Sequence, residues 1–583
     1  MPTAHTIHQE LLALRAGQYR QRVPGWRDLA AVVLVVGGVI LLGSGAREMI
    51  GPAAHAQAVP ISLSPQALPL YTLRTVLRML AALAASLLFT LTYATVAAKS
   101  RRAEMLLIPL LDVLQSVPVL GYLSFTVVFF VSLFPGNALG PELAAIFAIF
   151  TSQAWNMAFS FYQSLRMVPG DLDEACRSFR SSPWQRFWRL EVPFAMPGLV
   201  WNTMMSMSGG WFFVVASEAI SVGDLRIALP GVGSYVARAI EERNLACVGW
   251  AIVAMSIAII LYDQLLFRPL VAWSEKFRFE QTAAPFAPRS WVLTLFQQSA
   301  VFQYVNRIAA AGLQRAGDAR LLPGIRLPPG RHPGSQRLLD GIWLLAVAAA
   351  GGCLVWALLR FARDTLSWSE VSRAAGSGLL TLLRVLVLVA LASAVWVPIG
   401  VVVGLRPKLT AMVQPIAQFL AAFPANLLFP PAVFLIVTFR LAPAIWLSPL
   451  MILGTQWYIL FNVIAGASAF PGDLREAAAS LRVRSPHWWR QVILPGILPY
   501  FVTGAITASG GAWNASVVSE AVNWGSTTLN GGGLGAYIAQ MTHAGDYPRI
   551  ALGVAVMSVY VVAMNRLLWR PLYAFAERRT RLD

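Results

Sequence analysis

Twelve apolar runs, each long enough to cross about 30 Å of hydrocarbon, constrain this chain more than any other feature. They fall at 29–45, 71–97, 105–134, 142–163, 194–220 and 246–267, then at 339–360, 376–404, 409–438, 443–463, 496–520 and 548–569. Inside a bilayer every backbone N–H and C=O must find a partner within the protein, so runs of this length predict helices. The expected class is an all-α membrane protein with about 12 transmembrane helices in two sets of six. Composition agrees, with 57% hydrophobic and 12% charged residues.

The two sets are copies. Pro169-Gly170-Asp171-Leu172-Asp173-Glu174-Ala175 matches Pro471-Gly472-Asp473-Leu474-Arg475-Glu476-Ala477 at a displacement of 302. The same displacement superposes Trp155 on Trp457, Trp211 on Trp513, Ser217-Glu218-Ala219 on Ser519-Glu520-Ala521, and Gly231 and Gly233 on Gly533 and Gly535. Earlier in each half it is 306, setting Arg78 against Arg384 and Pro118 against Pro424. The chain is thus an internal duplication, with modules at 1–273 and 338–583. Between them, 274–337 is polar and rich in Pro and Arg and reads as a linker; Trp291 to Leu313 within it predicts a surface helix.

Charge gives an orientation. The net +18 does not gather in one patch, as a nucleic-acid face would require, but punctuates the apolar runs. Lys99, Arg101 and Arg102, the Arg166 to Arg189 cluster, Arg268, Lys276 and Arg278 share one side if each span reverses direction, and Arg406, Lys408, the Arg475 to Arg490 cluster and the Arg570 to Arg581 tail join them. Six spans per half then make the halves parallel repeats, with the linker and both termini cytoplasmic. Ala54-His55-Ala56 mimics a signal-peptidase site but sits far beyond its apolar run, so cleavage is not expected.

Between the fourth and fifth runs of each half lies a polar insert with strong helix signals. Asp171 or Asp473 suits an N-cap, with Glu174 or Glu476 three residues on to complete a capping box. Ser182-Pro183 and Ser485-Pro486 then open a second short helix ending before Pro193 or Pro495. Ala175 and Cys176, or Ala477, Ala478 and Ala479, keep the first helix narrow enough for another protein to approach closely.

Glu174-Ala175-Cys176 with Val192-Pro193, and Glu476-Ala477-Ala478 with Leu494-Pro495, resemble the EAA loop of ABC-importer permeases. The runs from Trp211 through Glu218 to Gly231-Val232-Gly233, and from Trp513 through Glu520 to Gly533-Leu534-Gly535, resemble the nitrate/sulfonate/taurine branch. The resemblance implies two fused type I permease modules in the bacterial inner membrane. It further implies two ABC ATPase subunits docked on the cytoplasmic loops, a periplasmic solute-binding protein, and a small solute, an anion by the branch. Fused permeases for ferric iron or another cation have the same outline. The pattern's glycine is Arg180 in one copy and Arg482 in the other, from which an altered turn is expected.

Charges inside spans need a reason. Glu218 and Glu520 can line the path or hold the N–H groups of the following glycine loop, and the second role is expected. Arg78 and Arg384 can attract an anion or reach towards headgroups, and such snorkelling is expected. Trp211 and Trp513 read as packing residues, with a gate role as the alternative.

No phosphate-binding Gly-x-x-x-x-Gly-Lys-Ser/Thr loop or hydrolase motif occurs, so no enzyme is expected; ATP and magnesium would belong to partner subunits and no cofactor to this chain. Cys176, Cys247 and Cys353 and the six histidines are dispersed and suggest no metal site. From another class, an ion-driven secondary transporter also has twelve spans, but leaves the duplicated loop unexplained.

Overall fold

The computed structural model describes residues 26–49, 61–222, 225–277, 290–318, 366–470, 472–483 and 486–580, with parts of 341–360. Most of the run at 339–360, the Ala54-His55-Ala56 tripeptide, Ser485 and the side chain of Asp473 lie outside the described residues. The chain divides into two compact units that do not follow the halves. One comprises Met1–Ser44, Met167–Val200 and Tyr262–Leu327; the other Gly45–Arg166, Trp201–Leu261 and Pro328–Asp583.

The larger unit is helical, as a lipid solvent demands. Leu68–Lys99 packs along Leu139–Arg166, and Trp368–Gly404 along Gln456–Ser468, which in turn packs on Leu494–Ser519. Gly404 permits that second approach, since a Cβ there would stand 2.6 Å from the Ile464 carbonyl. One apolar core draws Leu120, Val127 and Ala144 from the first half together with Val385, Ile459 and Trp513 from the second.

Among the described residues seven helices are long and apolar enough to cross a membrane, or ten if each of three bent pairs counts as one span. That differs from the about 12 expected, and prolines explain much of the difference. The runs at 105–134 and 409–438 are not straight: Arg101–Gln115 and Val119–Leu133 meet at 103°, Pro407–Ala422 and Ala425–Thr438 at 80°. Pro118 and Pro424 force the preceding Val117 and Phe423 into extended backbone, which ends each helix. The fourth run is continuous in the first half but bends by 41° between Pro443–Met451 and Gln456–Ser468 in the second. There Pro449 stands where the displacement of 302 puts Phe147, and it removes a helical donor. The fifth helix of the first half, Val192–Glu218, carries Asn202, Thr203, Ser206 and Ser208 and is not among the seven.

Two short antiparallel hairpins interrupt the helical pattern at matching places. Strands β1 (Ala219–Val222) and β2 (Leu225–Ala228) pair Ala219 with Ala228; β3 (Ala521–Trp524) and β4 (Thr527–Asn530) pair Ala521 with Asn530. The copies also share single π-helical turns at Phe187–Glu191 and Trp489–Ile493, and at Asp263–Phe267 and Asn565–Trp569.

In the smaller unit the linker segment forms two helices, Trp291–Gln298 and Ala300–Asp318, rather than the single one expected from Trp291 to Leu313. The break falls at Ser299, whose hydroxyl donates to the buried Asp28 carboxylate at 2.7 Å. The same carboxylate accepts the Val301 N–H at 3.1 Å, capping the second helix.

Candidate functional site

Each half closes its fifth helix on a buried arginine. In the first half Arg78, about three turns into Leu68–Lys99, is fully buried. Its Nε and Nη2 donate to the two oxygens of Glu142 at 2.6 and 2.7 Å, and Nη1 donates to Glu218 Oε1 at 2.7 Å. This forked arrangement is what a guanidinium supplies and an ammonium cannot. Glu218, the last residue of Val192–Glu218, accepts the Gly233 N–H at 2.6 Å and the Thr75 hydroxyl at 2.7 Å, while Thr75 accepts the Val232 N–H at 3.1 Å. The loop after the hairpin must pass so close that a Cβ on Gly231 would stand 2.3 Å from the Glu218 carboxyl carbon.

The second half repeats this arrangement with one partner missing. Thr381 Oγ1 donates to Glu520 at 2.9 Å and accepts the Leu534 N–H at 2.8 Å; Glu520 also accepts the Gly535 N–H at 2.8 Å. Arg384 Nη1 donates to Glu520 at 3.0 Å and to the Gly532 carbonyl at 2.6 Å. At the place of Glu142 stands Ala444, whose backbone carbonyl accepts Arg384 Nη2 at 3.1 Å; the Gly531 carbonyl accepts it at 2.5 Å. Gly533 adopts φ +108° beside Glu520, a conformation only glycine takes readily.

Neither arginine snorkels, contrary to expectation, because buried carboxylates and carbonyls take its donors. The two glutamates hold the glycine loop. Glu142, Thr75 and Thr381 were not singled out in the sequence. The Thr-x-x-Arg spacing, repeated at 75–78 and 381–384, was the available signal; Glu142 left none, since its counterpart is alanine. Beyond the spans, burial pushes the Tyr235 and Tyr537 hydroxyls above the usual phenol range.

A contact also crosses the halves. The Gly525 N–H at the tip of the second hairpin donates to the Ile240 carbonyl at 3.0 Å, and Arg243 Nη2 donates to Ser526 Oγ at 3.0 Å. Arg243 has φ 54°, and its counterpart is Gly545 with φ 67°.

The two polar inserts form the expected short helices, Gly170–Ser178 and Gly472–Ser480. Helix Gly170–Ser178 is not capped by Asp171, as expected from sequence, but begins after Pro169 with no side-chain cap. Starting the helix at Gly170 puts Asp171 inside its first turn, where it favours the helix dipole instead. Arg186 joins the insert together, reaching Asp173 at 2.7 Å and Glu191 at 3.1 Å. Ser182 forms the expected N-cap and pairs reciprocally with Gln185, but the second short helix does not end before Pro193 or Pro495 as expected: each copy runs on through its π-helical turn into the fifth helix, the π turn accommodating the donor that the proline lacks.

The altered turn expected from Arg180 and Arg482 does not occur. Both adopt φ 51°, in the left-handed region. The Ser181 N–H donates to the Cys176 carbonyl and the Val483 N–H to the Ala478 carbonyl, so the bond pattern of a glycine-ended helix is kept with arginine in the glycine position. Glu174, Ala175, Glu476 and Ala477 are exposed, Cys176 is half-buried and Ala478 buried. Phe179 and Leu481, matching residues just before the arginines, are 84% and 77% exposed, leaving an apolar tip on each insert.

Within the larger unit a cavity of about 630 Å³ is lined by residues of both halves. Trp513 lines it; Trp211, Arg78, Glu218, Arg384 and Glu520 do not. Its polar surface consists of amides, hydroxyls and indoles, and among the described residues no Asp, Glu, Lys, Arg or His contributes. Trp211 is 1% exposed and Trp513 0%.

A family model described as "Binding-protein-dependent transport system inner membrane component" matches residues 90–268 and again 396–581, together more than half of the chain. The bicarbonate transport system permease protein CmpB of Synechococcus elongatus is 29% identical over 181 residues, 31% of this chain and 60% of that protein. The glycine betaine/proline betaine transport system permease protein ProW of Escherichia coli is 32% identical over 169 residues, 29% of this chain and 43% of that protein. The nitrate import permease protein NrtB of Leptolyngbya laminosa is 25% identical over 189 residues, 32% of this chain and 64% of that protein. The aligned part therefore covers less than two thirds of each relative.

Proposed function

The chain belongs to the family of binding-protein-dependent transport system inner membrane components, twice over, and from that premise we propose that its two halves together form the membrane-spanning pathway of an ATP-binding-cassette importer. As a transport permease it is not itself an enzyme. Each half supplies one wall of the cavity and one exposed insert, and each insert serves as the docking point of a separate ATPase subunit on the cytoplasmic side. Solute is delivered by a binding protein on the opposite face.

One observation carries this reading: each insert runs through a π-helical turn directly into the fifth long helix of its half. Val192–Glu218, with 27 residues, is about 40 Å long. From Pro183 to Glu218, and from Pro486 to Ser519, the backbone is helical throughout, so a push on the second short helix of either insert travels along one element. Closure of paired ATPases would draw the two inserts together, and alternating access follows from rigid-body movement of packed helices. The bicarbonate, nitrate and betaine names among the relatives support a small anion or osmolyte as cargo.

The test is the double variant Glu174→Lys with Glu476→Lys, both exposed and therefore compatible with folding. In membranes containing the partner ATPase, ATP-driven uptake is expected to fall at least about tenfold, as charge reversal at a protein contact costs several kcal/mol. Unchanged uptake with unchanged ATPase assembly would refute the docking role.

A further inference from the structure

We propose that the linker helix Ala300–Asp318 lies in the headgroup layer of the bilayer, with Val301, Tyr304, Val305 and Ile308 sunk among the lipids, and so straps the first insert to the membrane surface. These residues are 39%, 66%, 52% and 58% exposed. At 3.6 residues per turn they share one face of the helix, within an arc of about 100°. Asn306 and Gln314, also exposed, fall on the other side. Gly317 falls there too and meets the insert, where a Cβ on it would stand 3.6 Å from Trp188 Cβ. An apolar stripe turned away from the protein, backed by amides, is the pattern of a helix that rests in an interface.

Both ends of this helix are fixed at the depth where helices leave the hydrocarbon. Its start is bonded to Asp28, which accepts the Ser299 hydroxyl and the Val301 N–H and stands in the first turn of the membrane-crossing helix Trp26–Met49. Trp26 and Arg27, exposed beside it, are residue types that settle at headgroup level. Its last turn meets Trp188, in the π-helical turn where the basic insert gives way to the apolar fifth helix. A rod about 28 Å long, held at two such points, runs along the surface rather than away from it. Apolar surface also reaches the place where the stripe begins, since Leu29, next to Asp28, is 68% exposed. Lipid covers a stripe at this depth directly, whereas an ATPase would have to enter the headgroup layer to reach it. Arg307 and Arg315 against the single acid Asp318 give the helix the sign that anionic headgroups favour.

The test places nitroxide labels on the full-length chain in nanodiscs of phosphatidylethanolamine and phosphatidylglycerol. Cys176, Cys247 and Cys353 are first replaced by alanine, the residue already present as Ala478 at the counterpart of Cys176. Labels at Val305→Cys and Ile308→Cys are expected to relax with dissolved oxygen and to be shielded about tenfold from a water-soluble nickel chelate, relative to labels at Asn306→Cys and Gln314→Cys. Free access of the chelate to positions 305 and 308 would overturn the proposal. So would shielding from both reagents, the mark of a protein neighbour, whether seen in the chain alone or only once the ATPase is added. A second measurement uses Val305→Asp with Ile308→Asp, both at exposed positions. Losing lipid cover from two apolar side chains should speed amide hydrogen exchange across Ala300–Asp318 at least about tenfold and leave Leu68–Lys99 unchanged. Unaltered exchange in the linker helix would overturn the strap. Neither measurement involves ATP or solute, so a failure here leaves the docking role to its own uptake test, and a failed uptake test leaves the strap standing.

Discussion

The two halves carry the same knot of residues built to different strengths. Around Arg78 stand two carboxylates, Glu142 and Glu218, with side-chain exposures of 6% and 0%, and one backbone carbonyl, that of Pro230, which accepts Nη2 at 3.1 Å. Around Arg384, itself 11% exposed, stand one carboxylate and three backbone carbonyls. The first knot is formally negative and depends on its cation; the second is formally neutral and shares its donors among dipoles. A common backbone thus tolerates the loss of a charged partner, provided a carbonyl can turn into the vacated direction.

The largest effect expected from this difference comes from removing the cation. Arg78→Met strands two buried carboxylates and should cost about 3–5 kcal/mol, seen as a drop in the thermal unfolding midpoint in nanodiscs. Arg384→Met strands one, and its smaller drop is the comparison to make; equal drops would show that Glu142 contributes nothing. Next come the glycines beside each glutamate. Gly533→Ala combines a strained φ of +108°, costing about 1–3 kcal/mol, with a clash against Glu520. Gly231→Ala has the clash alone, because its φ of −177° is ordinary extended backbone, so the second half should suffer more in the same unfolding measurement. The smallest effect should be a gain. Arg180→Gly and Arg482→Gly relieve left-handed arginine by about 0.5–1 kcal/mol each, and equally, since both have φ 51°. Arg243→Gly should not follow them, since it forfeits the bonds to Ser526 and Thr527.

Much of this architecture was legible in the sequence because duplication makes signals corroborate one another. The paired inserts, the buried glutamates holding glycine loops and the helical class all follow from residues that recur at a fixed displacement. What was illegible has local causes. Hydropathy averages over Pro118 and Pro424, so two bent pairs read as straight spans. An arginine's donors are satisfied by whatever lies near in space, and neither Glu142 nor the Ala444 carbonyl announces itself along the chain. Helix Gly170–Ser178 starts two residues earlier than a capping rule suggests, because the proline before it already sets an extended entry. The cavity was missed because its lining is neutral among the described residues, and attention to intramembrane charge passes over amides and hydroxyls.

At matching positions of the two fifth helices, one wall of the cavity offers Thr503, Thr507 and Asn514, and the other Trp201, Met205 and Phe212. A pore assembled from two identical chains would treat a passenger the same whichever way round it entered about the twofold axis. Here the symmetry is broken in chemistry while kept in backbone, so, with the cavity taken as the proposed solute pathway, a molecule with unlike ends would meet two unlike walls.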